Sequence, residues 1–124
     1  MSDTRVVRAT TLDRFVDGVE HVEGVHLPDL PPFTTVLAET MNSSYHVMIT
    51  RWPKVYVQGG AFFPEPTAAY VDGASAGGSY LRVAWIGVGL QLEIRSGGRR
   101  IITSRVRAIT IEEPSPGEQR GAHT

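Results

Sequence analysis

From residue 34 onward, hydrophobic and polar residues alternate in short runs, which is the pattern of half-buried β-strands. These runs are rich in Val, Ile, Tyr and Thr, and turn-forming pairs such as Gly59-Gly60 and Gly97-Gly98 separate them. We therefore predict strands over residues 34–39, 45–51, 54–58, 68–72, 80–94 and 99–111. Many short strands with frequent turns are typical of a β-sandwich or a β-barrel.

The segment from residue 90 to residue 105 predicts a β-hairpin. Gly97 and Gly98 lie between two β-rich runs, and both glycines can adopt the positive φ of a tight turn. With this pair at the turn, Ile94 lies opposite Ile101 and Leu92 opposite Thr103, on a face that we expect to be buried. The other face brings Arg95 against Arg100, a like-charge pair that Glu93 can offset from a diagonal position.

In the long run over residues 80–94, the apolar residues change from one face of the strand to the other. Leu81, Val83 and Trp85 occupy odd positions, whereas the apolar residues from Ile86 to Ile94 occupy even ones. Gly87 and Gly89 provide a place where the strand can bend. A strand that contributes to two faces is typical of small barrels, so we predict an all-β fold, a small closed or partly open barrel of the SH3-like or OB-like kind.

The first 33 residues have a different pattern. Leu12, Phe15, Val16 and Val19 recur at helical spacing, which predicts a short amphipathic helix over residues 10–22. Alternatively, Asp17-Gly18 could turn a hairpin between residues 14–16 and 19–22. Residues 27–32 contain three prolines and predict an extended linker. The predicted organisation is an N-terminal arm (residues 1–33), a barrel domain (34–111) and a disordered tail (112–124), whose only hydrophobic residue is Ala122.

Composition excludes several classes of function. The chain has 124 residues, a net charge of −1 and no cysteine, which removes disulfides, thiolate catalysis and Cys-ligated metals. No apolar run approaches the roughly 18 residues of a membrane-spanning helix. Because the first thirty residues are rich in charge, a secretory signal is not expected and a cytoplasmic location is predicted.

The charges are unevenly distributed along the chain. Residues 41–111 carry eight basic and three acidic residues, a net charge of +5, between acidic ends of −4 and −2. Aromatic residues interleaved with cations on a small barrel are one way to hold single-stranded nucleic acid. The candidate binding residues are therefore Arg51, Trp52, Lys54, Phe62, Phe63, Arg82, Arg95 and Arg100. For Phe62 and Phe63, which precede prolines, plugging one end of the barrel is the favoured alternative role.

No catalytic or metal-binding motif fits its required context. Residues 73–77 match the Gly-x-Ser-x-Gly pattern around Ser75, but a strand rather than a helix follows, so a small-residue surface turn is expected. His21 and His26 are five residues apart and would not converge on a helix. Neither a cofactor nor a metal is therefore predicted. Acid–base catalysis would use Glu39, Glu65 or Glu93 together with His46, but nothing in the sequence brings these groups together.

These observations favour a non-catalytic binding or assembly module, a subunit or accessory protein of a larger complex. A protein partner or self-association is the expected interaction, and no membrane is involved. The alternative is a barrel that binds single-stranded nucleic acid through the Arg-rich middle of the chain. A small enzyme with an unrecognised site is the second alternative.

Overall fold

The computed structural model of the protein describes residues 9–10, 19–77 and 80–113. In this part of the chain the secondary structure is all β apart from one 3-10 turn at Leu27–Asp29, so the predicted all-β class is confirmed. Ten strands form one sheet in which every pair is antiparallel. The strands are β1 (Ala9–Thr10), β2 (Val19–His26), β3 (Thr35–Thr40), β4 (Ser44–Arg51), β5 (Lys54–Gly59), β6 (Phe63–Ser75), β7 (Leu81–Val83), β8 (Trp85–Gly87), β9 (Gln91–Ser96) and β10 (Arg99–Glu112).

Six of these strands pair in a closed circuit. β3, β4, β5 and β6 form a meander in that order, β9 joins β6 to β10, and β10 returns to β3. β6 and β10 are 13 and 14 residues long, and each changes neighbours along its length. The N-terminal half of β10 pairs with β9, and its C-terminal half lies between β2 and β3. The two long strands thus allow the sheet to close on itself.

A short segment adds a second connection across the sheet. β7 pairs with the end of β6, and β8 pairs with β2. Ala84, between them, has a φ of 58°, donates its backbone N–H to the Asp72 carbonyl and accepts from the Leu27 N–H. Residues 81–87 therefore tie β6 to β2. The phase change predicted in this region corresponds to the break at Ala84 and to a turn at residues 88–90, where Gly89 has a φ of 91°.

The core is built from rows of paired apolar side chains. Val36, Val47 and Val57 are aligned across β3, β4 and β5, and all three are fully buried. Val71, Ile94 and Ile101 form a second row across β6, β9 and β10. The alternation seen in the sequence places these residues on one face of each strand, and these six strands join β2 and β8 in a single buried cluster.

The helix predicted over residues 10–22 is wrong at both of its described ends. Thr10 lies in β1 and pairs with Val22 of β2, while β2 itself pairs with the end of β10. Pairing with a strand far along the chain outweighs the local helical spacing, because it buries Val22 and Val25 in the core. The alternative hairpin turn at Asp17-Gly18 lies outside the described residues.

The proline-rich segment is a compact turn and not the extended linker that was expected. Leu27–Asp29 form a single 3-10 turn in which Pro28 takes an early position, where its missing N–H costs nothing. Leu27 and Leu30 are both buried in the common core. β10 includes Glu112, the first residue assigned to the predicted tail, and the rest of that tail from residue 114 lies outside the described residues.

The predicted β9–β10 hairpin is confirmed at its turn. Gly97 and Gly98 have φ values of 58° and 80°, and Ile94 pairs with Ile101. The predicted pair of Leu92 and Thr103 is replaced by a register shift between Ile102 and Arg105, where the Leu92 N–H donates to Thr103 Oγ1 at 3.0 Å. This bulge brings the Arg105 side chain to the exposed face.

Candidate ligand-binding site

Five exposed side chains lie in one row across five neighbouring strands. Arg51 on β4 is paired with Lys54 on β5, which is paired with Tyr70 on β6. Tyr70 is paired on its other side with Arg95 on β9, which faces Arg100 on β10. Directly paired residues point to the same face, and all five are exposed. This set, here named the basic row, is about 19 Å long, because strands lie about 4.8 Å apart.

The guanidinium group of Arg95 is held by Asp72. Its Nε–H donates to both carboxylate oxygens, at 2.8 Å to Oδ1 and 3.0 Å to Oδ2. The same guanidinium lies over the Tyr70 ring, 5.4 Å from its centre. An arginine has five N–H donors, so four remain on the Nη atoms of Arg95 without an acceptor among the described residues. The arginine is therefore oriented and still able to donate.

Arg100 is held in the same manner by Glu93. Its Nη2 donates to Glu93 Oε1 at 2.8 Å, and the Glu93 residue is only 2% exposed. The nearby Ser75 hydroxyl lowers the pKa of the Glu93 carboxyl. The two groups do not meet the geometric criteria for a hydrogen bond. The bond from Arg100 lowers this pKa further, and in turn Glu93 raises the pKa of Arg100. The pair is therefore ionised at neutral pH.

A groove of about 410 Å³ runs beside the basic row, next to the β9–β10 turn. Small residues (Ala68, Gly97 and Gly98) leave it open, and a methyl group built at either glycine meets no described atom within 4 Å. Arg99 also lines the groove, and its guanidinium lies 5.1 Å from the centre of the Phe62 ring. One contact between a cation and an aromatic ring, Arg95–Tyr70, therefore lines the groove, and a second, Arg99–Phe62, lies beside it.

The charge of the site is positive even after its carboxylates are counted. Asp72 and Glu93 each bind one arginine of the basic row. Arg51, Lys54 and Arg99 have no carboxylate partner within the described part of the chain. Three cations in and beside the row are thus available to an anionic ligand.

The structure brings together five of the eight binding residues predicted from sequence. Arg51, Lys54, Arg95 and Arg100 lie in the basic row, and Phe62 contacts Arg99 beside the groove. The other three are elsewhere: Trp52 is half-buried against the core, Phe63 is buried in the core, and Arg82 lies over the Trp85 ring at 3.6 Å.

Sequence reasoning did not assign Tyr70 and Arg99 to the site. The turn at Gly97-Gly98 is enough to predict that Arg95 faces Arg100, but the position of Tyr70 depends on pairing between β6 and β9. That pairing has no local signal. Strict alternation from Ile101 would place Arg99 on the buried face of the hairpin, but its side chain is exposed and reaches Phe62.

The motifs considered for catalysis do not form a site in the described residues. Ser75 lies in β6 and is buried, so the expected surface turn is wrong at this position. Glu39, Glu65 and His46 are exposed, and none is bonded to another or to Glu93 within residues 19–77 and 80–113. No group of three His, Asp or Glu side chains in that part of the chain is arranged to hold a metal ion.

Comparison with protein-family models, with curated proteins and with solved structures finds no match for this chain. No helix in the described part of the chain is long and apolar enough to span a membrane.

Proposed function

We propose that the protein is a non-catalytic binding module that holds an anionic polymer along the basic row. The observation that carries this proposal is the alignment of four cations across five neighbouring strands. A small anion is best held by cations that converge on one point, whereas a line of about 19 Å matches an extended chain of negative charges. The module would serve as a subunit or accessory protein of a larger complex.

The positions of the two arginines support this function. Asp72 and Glu93 fix the guanidinium groups of Arg95 and Arg100, so less side-chain entropy is lost when a ligand binds. Each arginine keeps N–H donors for phosphate or sulfate oxygens, which accept such bonds strongly. Binding residues that are oriented before the ligand arrives are typical of a recognition surface.

The fold gives this surface a rigid base. All five residues of the row lie on strands of the closed six-strand circuit, and the apolar rows beneath them are buried. We propose that this circuit is a small barrel of the SH3-like or OB-like kind. Such barrels commonly bind their ligands on an exposed sheet face.

Inorganic polyphosphate tests this proposal, because it offers a chain of charges and nothing else. We expect wild-type protein to bind it with an affinity that falls as salt is raised. In the double variant Arg51→Ala/Lys54→Ala, the slope of log affinity against log salt concentration should become shallower. The change should be about 0.7 for each lost contact if polyphosphate behaves as a flexible single strand. These two residues are chosen because neither holds a carboxylate in the described structure.

The matched control is Arg105→Ala/Arg107→Ala, which removes two exposed cations from β10 outside the row. This control should keep the wild-type slope. An equal loss in both double variants would show that only net charge matters, and the absence of any binding by wild-type protein would refute the proposal.

Self-association through β7 is the second candidate function. Leu81 and Val83 are 41% and 70% exposed on this strand, and among the described strands only β6 pairs with it. An apolar strand with an open edge is suited to pairing with a second copy. Solution mass should show a dimer for wild-type protein and for Met41→Lys, an exposed control position, but a monomer for Val83→Lys. A wild-type monomer at all concentrations would refute this candidate.

A further inference from the structure

Resting on the proposed function, we infer that the polymer is a single-stranded nucleic acid whose bases stack on Tyr70 and Phe62. The site contains more than charge. Tyr70 is 43% exposed and lies within the basic row, and Phe62 is 52% exposed beside the groove. A polymer without rings would bind to the cations and gain nothing from these two aromatic side chains.

The arrangement of rings and cations matches the two parts of a nucleotide. Arg95 lies over Tyr70 and Arg99 over Phe62, so each ring has a phosphate-binding group next to it. Nucleic-acid surfaces of small barrels combine a cationic track for the backbone with aromatic faces for the bases. Here the track is the basic row, and the groove over Ala68, Gly97 and Gly98 gives the bases room.

The dimensions favour a short single strand. A row of about 19 Å accommodates about five or six stacked nucleotides at about 3.4 Å each, which is toward the small end of site sizes on OB-folds. In a duplex the faces of the bases are already stacked on one another, so Tyr70 and Phe62 would have no face to contact. The structure therefore assigns the site to unpaired bases.

The experiment compares three labelled ligands of equal length: oligothymidylate, an abasic strand with the same phosphates, and a duplex. Fluorescence anisotropy at fixed low salt gives the affinity for each ligand. Wild-type protein should bind oligothymidylate at least about tenfold more tightly than the abasic strand. Tyr70→Leu should reduce oligothymidylate affinity by between about fivefold and 150-fold, as expected for one stacked base, and should reduce affinity for the abasic strand much less.

Two further variants keep the result interpretable. Phe62→Leu, in a loop outside the strands, should show the same selective loss even if Tyr70→Leu fails to fold. Tyr80→Leu removes another exposed aromatic ring outside the row and should bind as wild type.

The outcomes separate the inference from the function on which it rests. Equal affinity for oligothymidylate and the abasic strand, or tighter binding of the duplex, overturns the inference and leaves polymer binding intact. If wild-type protein binds none of the three strands and no polyphosphate, both fail.

Discussion

Arg95 and Arg100 face each other across β9 and β10, where two like charges would ordinarily repel. Each is bound instead to a carboxylate: Arg95 to Asp72 on β6, and Arg100 to Glu93, seven residues earlier on the partner strand of the hairpin. The two carboxylates allow adjacent arginines to remain in one row. They also mean that removal of either arginine releases a negative charge beside the site.

This arrangement predicts that the members of the basic row are not equivalent. Arg95→Ala/Arg100→Ala should weaken polyphosphate binding more than Arg51→Ala/Lys54→Ala, although each double variant removes two cations, because the first also exposes Asp72 and Glu93. Addition of Asp72→Asn to the first variant should recover part of the loss. Affinities measured at one salt concentration decide this, and equal losses in the two double variants would contradict it.

The ion pair of Glu93 predicts a specific response to acid. The pKa of this carboxyl in the folded protein is below its ordinary value of 4.5, so its ionised form stabilises the fold. This contribution to stability is fully present at pH values above the pKa of Glu93 in the unfolded protein. It is lost as pH falls through the lower pKa of Glu93 in the folded protein. The free energy of unfolding, measured with urea at a series of pH values, should differ between wild type and Glu93→Gln by a constant amount above about pH 5. This difference should become smaller below about pH 5. If the free energies of unfolding of the two proteins differ by the same amount down to about pH 3, the lowered pKa of Glu93 is contradicted.

The β9–β10 turn predicts a cost that comes from the backbone alone. Gly97→Val/Gly98→Val should lower the free energy of unfolding by more than about 1 kcal/mol, because β-branched residues resist positive φ. There is open space around both positions, so a steric clash does not contribute. Gly97→Asn is the matched control, since asparagine tolerates this conformation and Asn-Gly is a favoured turn pair. An unchanged midpoint of chemical unfolding for the double valine variant would show that the turn does not require these φ values.

The packing of Trp85 predicts a steric cost at Gly24. A Cβ at Gly24 would lie 2.5 Å from Cζ2 of Trp85, whose ring Arg82 covers at 3.6 Å. Gly24→Ala should therefore destabilise the protein by about 1–3 kcal/mol and change the fluorescence of Trp85. Glu23→Ala, at an exposed position on the same strand, should stay within about 0.5 kcal/mol of wild type. If Gly24→Ala unfolds at the same temperature as wild type, the ring is not fixed where the structure places it.

Local chemistry was enough to predict the strands from β3 to β10 and one turn. The six predicted runs all contain strands, and the pairing of Ile94 with Ile101 follows directly from the positive φ available to Gly97 and Gly98. The basic row could be predicted only in parts. Arg95 and Arg100 follow from the hairpin, whereas their alignment with Tyr70 and Lys54 depends on how β5, β6 and β9 pair.

Strand β2 shows why the remaining parts of the fold could not be predicted from sequence. From residue 20 to residue 24 of β2 the buried positions alternate, but they are occupied by Glu20, Val22 and Gly24, which do not form an apolar pattern. The nearby residues Phe15, Val16 and Val19 do match a helical period, so the local signal favoured the wrong element. What makes residues 19–26 a strand is hydrogen bonding to β10 and β8, and neither partner is near in sequence.

The partners of β10 also have a consequence for the order of folding. This strand completes the circuit with β3 and β9 and also pairs with β2, so its last four residues, Ile109 to Glu112, are paired on both edges. Its contacts with β2 join residues almost ninety positions apart. Until residues 99–112 are available, β3 and β2 each lack a partner on one edge, and these open edges are places where unfinished chains can associate. Synthesis of the final strand, and not of any earlier one, is therefore the step that allows the sheet to close, and such long-range closure is intrinsically slow.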